Sequence, residues 1–215
     1  MLARPALARR PLAATLQFGL LAFVRASSIS STSTASGKAA GADNHDRPAV
    51  GGGNKQWLQP GKPTLTLEAA DAMADAAISE AKTRGFNDVA VFVLDANART
   101  IVSKTMLNCP NLPHKLAHAK AMACISTHSS SSRAIKDKYV PDRTPQLLAM
   151  AIIGTECEQP IAAVPGGVLC RDEANNVVGA VGVSGASADE DEHCAVVAAQ
   201  AVPGLVTQPS KSPLE

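Results

Sequence analysis

Aromatic residues are scarce in this sequence: they make up 3% of the 215 residues, although hydrophobic residues make up 46%. Alanine therefore carries much of the apolar content, and small apolar side chains favour closely packed helices and strands. Long hydrophobic runs are also missing, since no stretch approaches the ~20 apolar residues that a membrane-spanning helix needs. The composition predicts a domain of ordinary size with a substantial core and no membrane span.

Acidic residues are absent from residues 1–42, which instead carry four arginines and a Ser/Thr-rich run after Arg25. This Arg-rich, Ser-rich and acid-poor composition is typical of organellar transit peptides. A secretory signal is the alternative, with an arginine pair before the short apolar stretch Leu12–Val24. The long Ser/Thr extension favours a transit peptide over residues 1–36, and therefore a mitochondrial or other organelle matrix location.

A basic surface is missing from the remainder of the chain. Residues 1–47 contain six Lys and Arg against two Asp, whereas the rest contains 14 Lys and Arg against 17 Asp and Glu. Nucleic-acid-binding domains need a basic face to neutralise phosphates. The charge distribution therefore argues against nucleic acid as a partner.

Most motifs that identify enzymes are absent as well. The sequence has no G-x-S-x-G elbow, Walker loop, Rossmann fingerprint or C-x-x-C pair. Its five cysteines are an odd number without framework spacing, which indicates free thiols and not a disulfide scaffold. Whether the protein is an enzyme is left open by these patterns.

The periodic part of the chain lies between two breaker-rich stretches. Residues 37–63 are predicted to be a flexible linker, residues 64–203 the folded domain, and the Pro/Ser-rich residues 204–215 a disordered tail. Thr66 is the expected N-cap of a first helix, and Gly85 its end.

The order of predicted elements is helix, hairpin, helices, three-stranded meander and helix. The hairpin joins Asp88–Leu94 to Arg99–Met106, and the meander begins with Gln159–Val164. This order predicts an α/β (α+β) fold with an antiparallel sheet and excludes a βαβ nucleotide-binding fold.

His114, His118 and Lys120 are candidate ligand contacts on the Ala-rich helix His114–Ser126. The two histidines stand at i and i+4, a spacing that metal sites use, although Lys115 occupies the place of the Glu in H-E-x-x-H. A solvated polar face and a haem or metal contact are both open. Lys120 stands among alanines, so it either reaches solvent or meets a carboxylate, phosphate or propionate.

A second group of candidates follows a turn at Pro165, Gly166 and Gly167. The strand Val177–Val183 contains two glycines, which mark a close approach of another backbone or of a flat ligand. The four acidic residues from Asp189 to Glu192 suit the positive end of a helix dipole. They also suit a grip on a cation or a ligand hydroxyl, with Asp191 as a weak catalytic candidate.

The segment from about residue 65 to 199 resembles the GlcG/HbpS-like family of haem-degrading or haem-binding domains. This family includes the C-terminal domain of PduO-type corrinoid adenosyltransferases. The resemblance rests on V-A-V-F-V-L-D at Val89–Asp95, A-H-A-K-A-M-A at Ala117–Ala123 and P-G-G-V-L at Pro165–Leu169. It rests most on V-V-G-A-V-G-V-S-G-A-S followed by D-E-D-E-H-C-A.

The resemblance implies a profilin-like α/β/α sandwich around a five-stranded antiparallel sheet, a homo-oligomer, and binding of a small molecule. Haem or a related tetrapyrrole is the preferred ligand, and the chain has no His between Pro48 and Pro113 to bind it. The candidate cofactor contacts are His114, His118, Lys120, Gly166, Gly167 and Asp191.

Two other functions stay open at this point. One is an enzyme or enzyme accessory for a small carboxylate or hydroxy-acid metabolite, with Asp191 as acid–base group and Lys120 positioning the substrate. The other is a structural subunit of an oligomer with a vestigial pocket.

Overall fold

The computed structural model describes residues 63–215, so the predicted transit peptide and nearly all of the predicted linker lie outside the described residues. The described part contains five helices: α1 (Leu67–Arg84), α2 (Asn111–Thr127), α3 (Ser132–Tyr139), α4 (Thr144–Glu156) and α5 (Ala188–Gln200). It contains five strands: β1 (Ala90–Asp95), β2 (Thr100–Thr105), β3 (Gly167–Arg171), β4 (Val177–Ser184) and β5 (Val206–Thr207). Among these residues, no helix is long and apolar enough to cross a membrane.

The five strands form one antiparallel sheet in the order β2-β1-β4-β3-β5. Strand β4 is central, because its Val181 pairs with Val93 on one side and with Val168 on the other. The predicted α/β fold with a five-stranded antiparallel sheet is confirmed.

Helix α1 begins and ends where its capping residues require. The hydroxyl of Thr66 accepts a hydrogen bond from the backbone N–H of Ala69 at 3.2 Å. At the other end Gly85 adopts φ 71°, a left-handed conformation that favours glycine. Both predicted bounds of this helix are confirmed.

The alternation of side chains along β1 separates the two layers of helices. Val89, Val91 and Val93 pack into a core shared with α1 and α5, whereas Phe92 and Leu94 point to the other face, where α2 packs. The domain is therefore an α/β/α sandwich, with the sheet between α1 and α5 on one side and α2 on the other.

The glycines of β4 allow other parts of the chain to approach its backbone. A Cβ at Gly182 would overlap the carbonyl oxygen of Ala117 and lie 3.0 Å from the Cβ of Ala121. A Cβ at Gly179 would lie 2.6 Å from Leu65. The close-approach interpretation is therefore correct, but a flat ligand does not occupy this surface, because α2 and Leu65 already cover it.

The fifth strand comes from a different segment than the sequence predicts. Gln159–Val164 is not a strand, and the N–H of Ala162 instead donates to the carbonyl of Ala119 in α2 at 3.3 Å. Residues 204–215, predicted to be disordered, contribute β5, which pairs with Cys170 and Arg171 at the free edge of β3. An edge strand has unpaired backbone groups, and the tail satisfies part of them.

Candidate functional site

The ammonium group of Lys120 points into the protein, and Lys120 is 1% exposed. It donates to the carbonyl of Val183 at 2.9 Å, to the hydroxyl of Ser184 at 3.1 Å and to Asp191 Oδ2 at 2.7 Å. An ammonium has three N–H donors, and each has an acceptor here. As folded, Lys120 has no donor left for a ligand carboxylate or a haem propionate.

Asp191 lies in the first turn of α5 and is 3% exposed. Its second oxygen, Oδ1, accepts a hydrogen bond from the backbone N–H of Ala186 at 3.0 Å. Burial lowers the pKa of Lys120 and raises the pKa of Asp191, while the attraction between the two charges opposes both shifts. The pair is closed to solvent, which leaves the proposed acid–base role of Asp191 without access to a substrate.

The Gly166–Gly167 turn covers this ion pair. Gly166 has φ 121°, and a Cβ there would lie 2.8 Å from Lys120 Nζ and 2.9 Å from Asp191 Cβ. The N–H of Gly167 donates to Ser132 Oγ at 2.8 Å, which holds the turn in place. The structure thus brings four of the predicted site residues together, and their role as cofactor contacts stays a prediction.

A second buried carboxylate lies beside the first on α5. Glu192 is 1% exposed and its Oε2 accepts a hydrogen bond from Arg133 Nε at 2.5 Å, while Asp189 binds the same guanidinium. Glu192 Oε1 has no hydrogen-bond partner within residues 63–215. Burial raises the pKa of Glu192, and Arg133 opposes that shift.

The acidic residues at the start of α5 have two different roles, helix capping and buried ion pairing, and the sequence pattern does not show which residue has which role. Glu190 forms a capping box with Ser187, as expected for a helix start. Asp191 and Glu192 turn inward to Lys120 and Arg133. Sequence reasoning missed Arg133 because its charge, 59 residues before Glu192, has no local pattern that links the two.

His114 and His118 lie on a different side of α2 from Lys120. Their rings flank Phe92, with centroid separations of 4.9 Å and 5.3 Å. His114 Nδ1 lies 2.9 Å from Thr105 Oγ1. Residues two apart on a helix point in different directions, so the predicted site divides into a histidine face and a buried ion-pair cluster.

The imidazole of His118 is half-buried, and burial lowers its pKa below the ordinary value of 6.5, with the charges of Lys115 and His114 adding to the shift. These surroundings favour the neutral form of His118. A neutral imidazole has a nitrogen lone pair for a metal, which a protonated one lacks.

The two other histidines of the described segment have different surroundings. His193 is 1% exposed, with Nδ1 2.6 Å from Ser212 Oγ and Nε2 2.8 Å from Glu80 Oε1. His128 is exposed and ends α2 in a left-handed conformation with φ 52°. His193 is enclosed by its partners, which leaves the pair on α2 and His128 accessible.

All five cysteines are free, as the sequence predicts. Burial raises the pKa of Cys170 to about 12, so this thiol is a small apolar group and not a nucleophile. Within residues 63–215, no group of three or more His, Cys, Asp or Glu is placed to hold a metal ion.

The model of the family described as "Haem degrading protein HbpS-like" matches residues 65–200. The chain belongs to the HbpS-like family. This match covers all the elements from α1 to α5 and therefore both the histidine face and the ion-pair cluster. No curated protein matches the sequence of this HbpS-like chain.

Solved structures share the fold of this HbpS-like domain. The PduOC–haem complex is 20% identical, with a TM-score of 0.57 over 67% of this chain and 98% of that one. HbpS is 26% identical, with a TM-score of 0.54 over 67% and 94%. A double mutant of Streptomyces reticuli HbpS is 25% identical, with a TM-score of 0.55 over 73% and 97%.

Proposed function

We propose that this HbpS-like domain binds haem or a related tetrapyrrole at the histidine face of α2. The observation that carries the proposal is the half-buried imidazole of His118, which lies beside His114 against Phe92 in surroundings that lower its pKa and so favour the neutral form. Neutral imidazole is the form of histidine that ligates haem iron. The family description and the haem complex of a relative with the same fold support this ligand class.

The partly exposed imidazoles of His118 and His114 lie beside each other on one face of α2, where either can ligate a metal. Phe92 is 9% exposed and packs edge-on against both imidazoles, which fixes the orientation of the His114 and His118 rings. A bound haem would supply redox and ligand-exchange chemistry, while the chain supplies an imidazole held in place by Phe92.

Titration of the full chain with hemin tests the proposal. We expect a saturable Soret band, at least tenfold weaker binding in His118→Ala, and unchanged binding in the control His128→Ala. His128 is an accessible histidine of the same helix, so it controls for non-specific coordination. Absence of a saturable spectral change, or equal affinity of His118→Ala and the wild type, would contradict the proposal.

We also infer that the domain forms a homo-oligomer through α4. This helix has no charged residue between Arg143 and Glu156, yet Leu148, Ile152 and Ile153 are 58%, 64% and 63% exposed. An exposed apolar helix of this kind marks an interaction surface. An antiparallel pair of α4 helices would bury these side chains and place Arg143 of each copy near Glu156 of the other, as two-fold symmetry requires.

For location, we propose an organelle matrix, on the acid-free and Arg-rich composition of residues 1–36. A fusion of these residues to a fluorescent protein should enter an organelle. Secretion of the fusion would support the alternative, a secretory signal.

A further inference from the structure

The β1–β2 turn (residues 96–99) and the β3–β4 turn (residues 172–176) lie at the same end of the sheet. They do so because Asp95 at the end of β1 pairs with Gly179 near the start of β4. Between the turns is a cavity of about 560 Å³, which is within the usual range for small-molecule sites. Within residues 63–215, no carboxylate lines it. Its polar lining consists mainly of Arg99, Arg171, His128, Asn97, Asn175 and Asn176.

The two guanidinium groups have N–H donors to spare. Among the described residues, Arg171 donates to the carbonyls of Asn175 at 3.1 Å and His128 at 3.4 Å, and Arg99 donates through Nε to Asp95 at 2.8 Å. A guanidinium has five N–H donors, so Arg171 uses two and Arg99 uses one. The remaining donors suit the planar oxygens of a carboxylate or the oxygens of a phosphate.

The acidic residues of the two turns are Asp95, Asp172 and the exposed Glu173, and none of them lines the cavity. Asp95 accepts hydrogen bonds from the backbone N–H groups of Asn97 at 2.8 Å and Arg99 at 2.9 Å, in addition to the guanidinium. Asp172 accepts from the backbone and side chain of Asn176 at 2.7 Å and 2.9 Å. Both carboxylates order the turns and leave the cavity to cationic and amide groups.

The backbone around the cavity departs from regular strand and helix geometry at several positions. A register shift lies between Cys170 and Arg171, and such a bulge changes the direction of the next side chain. Two residues of the lining, His128 and Asn175, have positive φ at 52° and 66°, and Ala98 with φ 65° lies between the lining residues Asn97 and Arg99.

We propose that this cavity binds a small organic anion through Arg99 and Arg171, with the asparagine amides contacting its hydroxyl or carbonyl groups. The anionic group is a carboxylate or a phosphate. The cavity is distinct from the histidine face, since His128 lies ten residues after His118, or ~15 Å along α2.

Calorimetric titration of the full chain with citrate and with inorganic phosphate tests the site at low ionic strength. We expect saturable binding of at least one probe, and the one that binds assigns the site to carboxylates or phosphates. Arg171→Gln and Arg99→Gln should each weaken binding about tenfold, because each removes a charged hydrogen-bond donor.

Two controls make the outcome specific. Lys136→Gln removes an exposed positive charge on α3 and should leave the affinity within twofold. His118→Ala should also leave it unchanged, so failure of the haem proposal and failure of the anion site are distinguishable. The side chain of Arg99 is 77% exposed, so circular dichroism of Arg99→Gln should show an intact fold. No saturable heat with either probe, or equal affinity of wild type and Arg99→Gln, would overturn the proposal.

Discussion

The ammonium of Lys120 and the carboxylate of Asp191 lie 2.7 Å apart, although Lys120 belongs to α2 and Asp191 to α5 on the opposite face of the sheet. They meet at the end of β4, where Lys120 also binds the carbonyl of Val183 and the hydroxyl of Ser184. A single buried ion pair thus connects both helical layers to the central strand.

Removal of one member of this pair should strongly destabilise the domain. Lys120→Met leaves the carboxylate of Asp191 buried without a counter-ion, and we expect a loss of about 3–5 kcal/mol in the free energy of unfolding. Urea denaturation followed by circular dichroism measures it. The double variant Lys120→Met/Asp191→Leu should recover part of the loss, because no charge is then buried.

Lys104 provides the matched control for that experiment. It binds Asp71 at 2.7 Å and Asp75 at 2.6 Å on the surface, where both carboxylates are more than half exposed. Lys104→Met should cost less than about 1 kcal/mol. Equal losses in Lys104→Met and Lys120→Met would contradict a special contribution of the buried pair.

The close contact between β4 and α2 predicts that Gly182 tolerates no side chain. Gly182→Ala would place a methyl group against the carbonyl of Ala117, and we expect a loss of about 3 kcal/mol in stability. Gly85→Ala is the control, because its Cβ would have open space and only the left-handed backbone costs about 1 kcal/mol. Thermal denaturation of both variants should show the larger decrease in Tm for Gly182→Ala.

The pKa of His118 predicts how the histidine face responds to acid. Because burial lowers this pKa below 6.5, the folded state binds fewer protons than the unfolded state, and the stability present above pH 6.5 is lost as pH falls through the folded pKa. An NMR titration should place the midpoint of His118 below 6.5. Lys115→Gln should raise that midpoint, since it removes a nearby positive charge. A wild-type midpoint at or above 6.5 would contradict the assigned environment.

Ser212 should hold the C-terminal tail through His193. Ser212 is 6% exposed and its hydroxyl lies 2.6 Å from His193 Nδ1, so Ser212→Ala leaves a buried ring nitrogen without a partner. We expect a cost of about 1–3 kcal/mol. Ser210 is exposed on the same tail, and Ser210→Ala should change the stability by less than about 0.5 kcal/mol. Similar costs for both variants would argue against the contact.

The apolar face of α4 predicts that charge will separate the subunits. Light scattering after size exclusion should give a mass of two or more chains for the wild type. Ile152→Asp should give the monomer mass, because the cost of burying the carboxylate opposes the helix pair. Leu67→Asp, at an equally exposed leucine on α1, should keep the wild-type mass. A monomeric wild type would contradict the proposed homo-oligomer.

The sequence alone determines the local elements and the family. Thr66 and Gly85 bound α1 because capping depends on residues within a few positions of the helix end. The short, mostly apolar and β-branched run Asp88–Leu94 predicts β1, since a strand buried on both faces appears in the sequence as a continuous apolar run. The run of small residues and glycines before Asp189 is long enough to indicate the HbpS-like family, and the family match covers it.

The division of the predicted site into two parts depends on side-chain direction. Lys120 and His118 are two positions apart, and helix geometry alone places them on different faces. Their partners are not encoded nearby: Asp191 follows Lys120 by 71 residues. Only the packed fold shows that Lys120 turns inward, because its partner comes from the opposite side of the sheet.

The tail and the anion cavity also depend on tertiary structure. Residues 204–215 are rich in Pro and Ser, which favours disorder locally, yet the edge of β3 and the ring of His193 offer hydrogen-bond partners that order them. The cavity exists because antiparallel pairing of β1 and β4 brings two separate turns, with Arg99 and Arg171, to one end of the sheet. The local sequence determines each turn, whereas the pairing of β1 with β4 determines that both turns border the same cavity.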